Sequence, residues 1–463
     1  MSINSCLNKI FSGENRFADF LNSKLFIWLN ACIALIFWVS GEILGGLIAF
    51  CALSFLVLVF CKDAKPVVTS LVFFFFVFSD GTLTIEGREG WIAVLCLPIV
   101  GFIYNILRFG TEGFALKGFS FSVLPVTLAW FLQGILREGR ELVPALLCVG
   151  IALVYTLIYF FILATSRASG RDCLEYFAHV LFVLGILIMA QIAVYYIRIN
   201  DFAFKDDYIK LGWGTRNPVS AMLALIMPIS FYYATGKRKF DFLFIFLGFI
   251  QYTLILLLQS RGVALFATAA LPCLMIYTVV KGKRIPLGII NAVVVVSALT
   301  LIFASDKVFD ALFRRLAEAG FWSNGRLELY REGIDVFLRN PVFGAGFDYK
   351  SPLYEEMLPN STGPSYYHST FLQIPACLGL VGFFAYLYFY YWRYRIALTD
   401  LDGLKFVFLV GMLVFECYGF MDTVFFQPQG YFILLVISLF TEKELSLRQT
   451  SPNIYKLFRL RRI

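Results

Sequence analysis

The sequence predicts an all-α, polytopic integral membrane protein, and composition and hydropathy are the two observations that predict it. Of its 463 residues, 60% are hydrophobic and only 15% are charged, whereas soluble domains carry about 25% charged residues. Long apolar runs recur along the chain, and a helix that crosses a bilayer needs roughly 20 such residues. We therefore expect about 12–14 transmembrane helices and one long external loop that carries short amphipathic helices.

The apolar runs predict the individual helices in chain order. The third run is short for a full crossing and also fits a re-entrant segment. The predicted spans lie near 24–40, 43–61, 66–79, 90–107, 117–136, 143–164, 174–197, 218–235, 240–258, 262–280, 285–304, 366–392, 405–421 and 424–440.

These runs divide the chain into four regions. Residues 1–200 form the N-terminal transmembrane helices, and 201–304 form central helices whose outer loops carry arginines. Residues 305–365 form the long external loop, which on this topology is periplasmic, and 366–463 form the C-terminal helices with a basic cytoplasmic tail. Within the loop, helical periodicity predicts amphipathic helices over 306–319 and 325–338, and the Gly-, Pro- and Ser-rich stretch 344–365 is predicted to be a mobile flap.

The basic residues predict the orientation of the spans, because short cytoplasmic loops of membrane proteins are rich in Lys and Arg. Alternating spans place the clusters at 62–65, 167–171, 237–239, 281–284 and 393–395 on one side, which we interpret as cytoplasmic together with both termini. The net charge of +8 is thereby explained as an orientation signal, and no nucleic-acid partner is expected.

Several kinds of chemistry leave no signature in the sequence. The ten cysteines form no CxxC pair and fall outside the long polar loops, so disulfides and metal sites are not expected. No phosphate-binding loop, dinucleotide fingerprint, HExxH motif or outer DxD pair occurs. We therefore expect no cofactor and no metal, and a substrate donor that carries its own activated leaving group.

The predicted topology brings three polar residues to one membrane depth on the outer side. Arg216 lies in Gly-Trp-Gly-Thr-Arg-Asn-Pro just before a span, Arg261 lies in a tight Gln-Ser-Arg-Gly turn, and His368 begins the span after the long loop. Arginine binds phosphate oxygens through two parallel hydrogen bonds and stabilises charge on a diphosphate leaving group. Histidine titrates near neutral pH and serves as a general base toward a hydroxyl group.

Structural interpretations of the same residues remain open. An arginine at the end of a span is commonly an interfacial anchor, and a lone histidine there is commonly a polar cap. His179, the only other histidine, shares a helix face with Glu175 four residues earlier. The two side chains could form a buried polar contact or, as the second interpretation, a proton relay.

Four motifs in the second half of the chain resemble the O-antigen ligase and O-antigen polymerase superfamily. They are Gly-Arg followed by Tyr330, the stretch Asn-Pro-Val-Phe-Gly-Ala-Gly at 340–346, His-Ser-Thr-Phe-Leu-Gln at 368–373, and Gly-Leu-Val-Gly at 379–382. The resemblance covers about residues 210–440. The family motif commonly has Asn after its histidine, whereas Ser369 stands here, so we assign that position no role.

The resemblance implies a metal-independent glycosyltransferase in the bacterial cytoplasmic (inner) membrane, with its active site on the periplasmic side. The donor would be an undecaprenyl-diphosphate-linked glycan, and the acceptor a glycan or lipid-linked glycan. By this resemblance His368 is catalytic and Arg261 and Arg216 bind the diphosphate, with Arg326 and Gln373 as secondary candidates.

Three functions follow from these expectations. The first is a polymerase for O-antigen or capsule repeat units, acting with a flippase and a chain-length regulator. The second is a ligase that passes the glycan to lipid A–core. The third, from another class, is a flippase for the same lipid-linked glycan, which should place its charges near the middle of the membrane in paired repeats.

Overall fold

The computed structural model describes most of the chain, with gaps at loops and at both termini. The segments that it describes are 16–77, 90–111, 118–136, 142–200, 216–236, 240–241, 243–282, 326–346, 349, 351–357, 366–423 and 428–449.

Helices make up the regular structure of these segments, which contain no strand. In chain order they are α1 Arg16–Leu21, α2 Lys24–Ser40, α3 Ile43–Phe60, α4 Val67–Val77, α5 Gly90–Phe109, α6 Phe119–Leu136, α7 Leu142–Thr165, α8 Gly170–Ile199, α9 Arg216–Ala234, α10 Leu243–Leu257, α11 Arg261–Lys281, α12 Arg326–Arg339, α13 Pro352–Met357, α14 Thr370–Leu398, α15 Gly403–Tyr418 and α16 Pro428–Gln449.

The predicted fold class is confirmed, since each predicted span within the described segments overlaps a helix, although α16 extends to Gln449, well past the predicted end at 440. Five of these helices, α3, α8, α9, α11 and α14, are long and apolar enough to cross a membrane, and several shorter apolar helices accompany them. The predicted span at 285–304 and the predicted amphipathic helix at 306–319 lie outside the described residues. The second amphipathic helix, predicted over 325–338, is present as α12, and Asn340-Pro341 follows its end.

The outer surface of the bundle is apolar, as a lipid-facing surface must be. Large hydrophobic side chains such as Leu107, Val280 and Phe384 are mainly exposed, at 80%, 73% and 62%. In water such a surface would promote aggregation, whereas in a bilayer it costs nothing. The described cysteines are free, and Cys32, Cys96 and Cys273 lie on this exposed surface.

Helix α9 is the most buried of the long apolar helices. Neighbouring helices pack closely against it through glycine residues. A Cβ at Gly411 of α15 would collide with the carbonyl oxygen of Leu225 in α9, and a Cβ at Gly248 of α10 would press on the Phe231 ring. Small residues at such contacts are typical of membrane helices, whose association depends on close packing rather than on the hydrophobic effect.

Ion pairs gather at one end of the bundle. Arg171 of α8 pairs with Asp402, which caps α15, and Lys405 of α15 pairs with Glu444 of α16 at 3.3 Å. This end contains the basic clusters at 167–171 and 62–65, which were predicted to lie on the same side.

Glu175 does not pair with His179. Its carboxylate accepts a hydrogen bond from Arg171 at 2.8 Å, so its charge is matched within the ionic cluster. The His179 ring stacks on Phe182 and lies edge-on to Tyr233, with ring centroids 6.1 and 6.2 Å away. Since Glu175 and His179 have different partners, these contacts do not connect the two side chains for proton transfer.

The span predicted over 366–392 is in fact folded back on itself. Gly379, inside α14, has φ 62° and ψ −160°, a conformation that interrupts the helix. The rings of Phe371 and Tyr390 stack with centroids 5.9 Å apart, although 19 residues of straight helix would separate them by about 28 Å. Helix α14 therefore consists of a short arm, 370–378, packed against a long arm, 380–398.

The stretch 340–346 fills the break in α14 with backbone hydrogen bonds. The N–H groups of Ala345 and Gly346 donate to the carbonyls of residues 376 and 377, at 2.8 and 3.0 Å, while the N–H groups of residues 380 and 381 donate to those of Pro341 and Val342. We call residues 340–346 the hook. The expectation of a mobile flap over 344–365 is wrong for residues 344–346, because Ala345 and Gly346 are hydrogen-bonded to α14 and Gly344 lies against the backbone of Cys377.

Replacing Gly379 with Ala should unfold the hook and the short arm. The positive φ disfavours any side chain, and a Cβ there would collide with the carbonyl of Val342, so we expect a loss of at least about 2 kcal/mol. Gly150→Ala is the matched control, since that helical glycine faces open space and should gain about 0.5–1 kcal/mol. Thermal unfolding of both variants in the same detergent measures the difference; equal melting temperatures would contradict the proposed constraint.

Candidate functional site

Asp422 is the point at which the polar groups of the other end of the bundle meet. It follows α15 and is 17% exposed. Its carboxylate lies 3.3 Å from Nδ1 of His368, accepts a hydrogen bond of 2.5 Å from the Tyr418 hydroxyl and accepts one of 2.8 Å from the N–H of Thr423. These contacts place a carboxylate and a histidine side by side at the end opposite the ionic cluster.

His368 is held by its backbone as well as by its ring. It has φ 46°, in the left-handed region that non-glycine residues seldom adopt. The Tyr330 hydroxyl of α12 donates to its carbonyl at 3.3 Å. Two residues on, the N–H of Thr370 donates to the carbonyl of Gly419 at 2.7 Å, and the Thr370 hydroxyl donates to that of Asp422 at 3.0 Å. The start of the short arm is thus fastened to the segment after α15.

The Asp422 contact determines which nitrogen of His368 is available for chemistry. A neutral imidazole carries one proton, and a carboxylate at Nδ1 favours the tautomer in which Nδ1–H donates. The lone pair then lies on Nε2. The side chain is 37% exposed, so that nitrogen belongs to a ring that substrate can reach.

Asp422 is charged at neutral pH. Burial raises the pKa of its carboxyl group, but the hydrogen bond and charge of His368, with the hydrogen bonds from Tyr418 and Thr423, outweigh burial and leave the pKa below its ordinary value. A negative charge beside the imidazole stabilises the imidazolium that forms when Nε2 takes a proton.

The two predicted arginines occupy the first positions of neighbouring helices. Arg216 is the first residue of α9, and the amide of the next residue, Asn217, lies 3.5 Å from the Asp422 carboxylate. Arg261 is the first residue of α11, and the side chain of Ser260 before it hydrogen-bonds the Tyr418 hydroxyl. Both arginines are half-buried and adjoin residues that touch the Asp422 segment.

Glycine 262 explains how the Arg261 turn comes so close. A Cβ at this position would lie 2.9 Å from the Tyr418 ring and 3.0 Å from the sulfur of Met421. The residue before the turn, Gln259, has φ 56°. The turn is therefore shaped to lie flat against the residues that precede Asp422.

The two secondary candidates differ in their placement. Arg326 begins α12, and its positive charge acts on the hydroxyls of Tyr330 and Tyr418, which puts it at the border of the site. Gln373 is fully buried in the short arm, where it accepts from the N–H of Tyr367 at 2.9 Å and donates to the sulfur of Cys377. Gln373 thus supports the residue before His368.

Sequence reasoning missed Asp422 and Tyr418. Asp422 falls between the spans predicted at 405–421 and 424–440, and Tyr418 falls near the end of the first. The signal that could have found Asp422 is a lone carboxylate between two apolar runs on the side that carries His368, since an isolated charge there requires a partner. Among the described residues, no three His, Cys, Asp or Glu side chains are grouped as metal ligands would be.

Comparison with known protein families finds a match in the second half of the chain. Residues 242–387 match the family model of the O-antigen ligases. This region of the chain is similar to the O-antigen ligase domain. The matched region contains Arg261, Arg326 and His368, whereas Arg216 and Asp422 lie outside it.

The O-antigen ligase match confirms the resemblance to the ligase and polymerase superfamily and supports a multi-pass membrane protein with a role in glycan transfer for surface polysaccharides. A search of curated proteins finds no match.

Replacing Asp422 with Asn should lower transfer activity by about 10- to 1,000-fold, because the amide no longer fixes the imidazole tautomer or stabilises the imidazolium. Asp402→Asn is the control, since Asp402 belongs to the ionic cluster at the other end and should affect stability alone. Activity is normalised to folded protein by size-exclusion chromatography; a fully active Asp422→Asn variant would contradict the pairing.

The same substitution has a predictable pH dependence. Because the folded pKa of Asp422 is lowered, its charge stabilises the fold above the ordinary carboxyl pKa of about 3.9, and that stabilisation is lost as pH falls through the lowered value. The melting temperature of the wild type should exceed that of Asp422→Asn above about pH 5, and the difference should shrink below about pH 4.

Proposed function

We propose that the protein transfers a glycan from an undecaprenyl-diphosphate donor to a sugar hydroxyl at the outer face of the bacterial inner membrane, as a polymerase of surface polysaccharide repeat units. The observation that carries this proposal is the His368–Asp422 pair beside the helix starts of Arg216 and Arg261. The pair supplies a base, and the arginines supply fixed positive charge for a diphosphate.

The proposed reaction needs no metal and no cofactor. Nε2 of His368 takes the proton of the acceptor hydroxyl as its oxygen attacks the anomeric carbon of the donor sugar. The bond from that carbon to the diphosphate oxygen breaks, and the electron pair leaves with the diphosphate. Arg216 and Arg261 stabilise the charge that grows on the leaving group, and Asp422 stabilises the imidazolium. Attack opposite the leaving group inverts the configuration.

Polymerase and ligase differ only in the acceptor. The large number of predicted spans and the amino-acid sequence of the His-Ser-Thr motif favour a polymerase. A polymerase passes the chain to the next repeat unit. The description of the matching family favours a ligase, which would pass it to lipid A–core. A polymerase would act with a flippase that delivers the donor and with a regulator of chain length.

His368→Ala should abolish transfer, with a loss of at least about 100-fold when the general base is removed. The assay uses purified protein in lipid with undecaprenyl-diphosphate-linked repeat units as the only glycan, and products are separated on a gel. His179→Ala, which changes the other histidine, should retain activity.

The products decide among the three functions. A ladder of longer lipid-linked chains that only His368→Ala fails to make supports the polymerase. Transfer that appears only after lipid A–core is added supports the ligase. The absence of transfer with both acceptors would overturn the enzyme proposal in favour of a transporter.

Arg261→Lys should raise the KM for the donor about 10-fold, because an ammonium cannot reproduce the planar fork that binds two phosphate oxygens. The acceptor KM should change little. Arg395→Lys is the matched control, since Arg395 is exposed near the far end of α14, where its side chain contacts Tyr391 and Trp392 of the same helix. An unchanged donor KM in Arg261→Lys would remove this arginine from the diphosphate site.

A further inference from the structure

An exposed aromatic ring lies in the segment that contacts the start of the short arm, and that arm begins just after the proposed base His368. Phe420 lies two residues before Asp422, in the segment that joins α15 to α16, and it is 56% exposed. One face of its ring stacks on Phe371 of the short arm, with centroids 4.2 Å apart and an interplanar angle of 19°. Phe371 is three residues after His368, so ring and base belong to the same corner of the site.

The ring is fixed in place. Phe371 stacks in turn on Tyr390 of the long arm, with centroids 5.9 Å apart. The carbonyl oxygen of Phe420 lies within hydrogen-bond distance, 3.5 Å, of the Tyr330 hydroxyl. A rigid ring with one covered and one open face is a preorganised binding surface, because little side-chain freedom is lost when a ligand binds.

The chemistry of that surface suits a sugar. The face of an aromatic ring carries partial negative charge, and the axial C–H groups on one face of a pyranose carry partial positive charge. Ligand sites combine such apolar surfaces with a few polar groups that fix orientation, and His368 with Asp422 provide these next to Phe420. A lipid chain would gain no comparable advantage from an aromatic over an aliphatic side chain.

We propose that Phe420, backed by Phe371, is the stacking platform for the pyranose ring of the acceptor glycan. This inference rests on the proposed function and specifies its acceptor subsite. The position favours acceptor over donor, since the platform is built on the arm that begins at His368, whereas the arginines for the diphosphate begin α9 and α11.

The test compares Phe420→Leu with Phe420→Trp. Leucine keeps an apolar side chain but removes the aromatic face, whereas tryptophan keeps the face. The acceptor is the octyl glycoside of the repeat-unit oligosaccharide, varied at saturating undecaprenyl-diphosphate-linked donor. We expect Phe420→Leu to raise the acceptor KM about three- to tenfold, with donor KM unchanged, and Phe420→Trp to remain near wild type. Phe384→Leu, at an exposed ring on the long arm of α14, should change neither constant.

A binding measurement separates this inference from the proposed function. Saturation-transfer NMR of the octyl glycoside, with aromatic protons of the protein irradiated, should label one face of a sugar ring in wild type and lose that signal in Phe420→Leu. Equal KM and equal labelling in wild type and Phe420→Leu would overturn the platform while leaving the enzyme intact. Equal loss in the Leu and Trp variants would also overturn it, since that result indicates packing rather than stacking. Labelling without any transfer would preserve the platform and contradict only the proposed reaction.

Discussion

The pairing between the hook and the broken helix α14 is the constraint on which the site depends. Backbone polar groups at membrane depth must be bonded within the protein, because no water is available to them. A break at Gly379 exposes such groups, and residues 341–346 bond them from outside the helix. The Gln133 side chain of α6 donates further hydrogen bonds to the carbonyls of Phe343 and Gly344 in the hook and of Cys377 in the short arm. The short arm can therefore fold back, and its free end presents His368.

A buried ion pair joins the long arm of α14 to α15. Arg393 on the long arm is fully buried and pairs with Glu416 of α15, which also accepts from the Tyr394 hydroxyl. Breaking a buried pair by removal of one partner typically costs about 3–5 kcal/mol, so this contact ties α14 firmly to α15. Since Asp422 follows α15 and His368 precedes α14, the tie holds the two members of the site together.

Hydropathy predicted most of the helices because a helix that crosses a bilayer must be long and apolar. Both properties can be read from a single sequence. It could not reveal the fold-back of α14. Residues 366–392 read as one apolar run, and only Gly379 marks the reversal, which requires the hook as a partner from elsewhere in the chain. His368 and the arginines could be selected as candidates because a polar or charged residue at a span end is unusual in itself. Asp422 was missed because its importance comes from four contacts that converge only in three dimensions.

The placement of the polar groups around Asp422 is compatible with the inverting transfer proposed above. Such a reaction needs the base and the leaving group on opposite faces of the donor sugar. The proposed base lies just before the short arm of α14, whereas the two arginines lie at the starts of α9 and α11. Asp422 contacts His368 through Oδ1, and through Oδ2 it contacts Tyr418 and Asn217, the residue after Arg216. The carboxylate thereby links the proposed base to the start of α9, so that the proposed proton transfer and the proposed diphosphate binding can operate at one site.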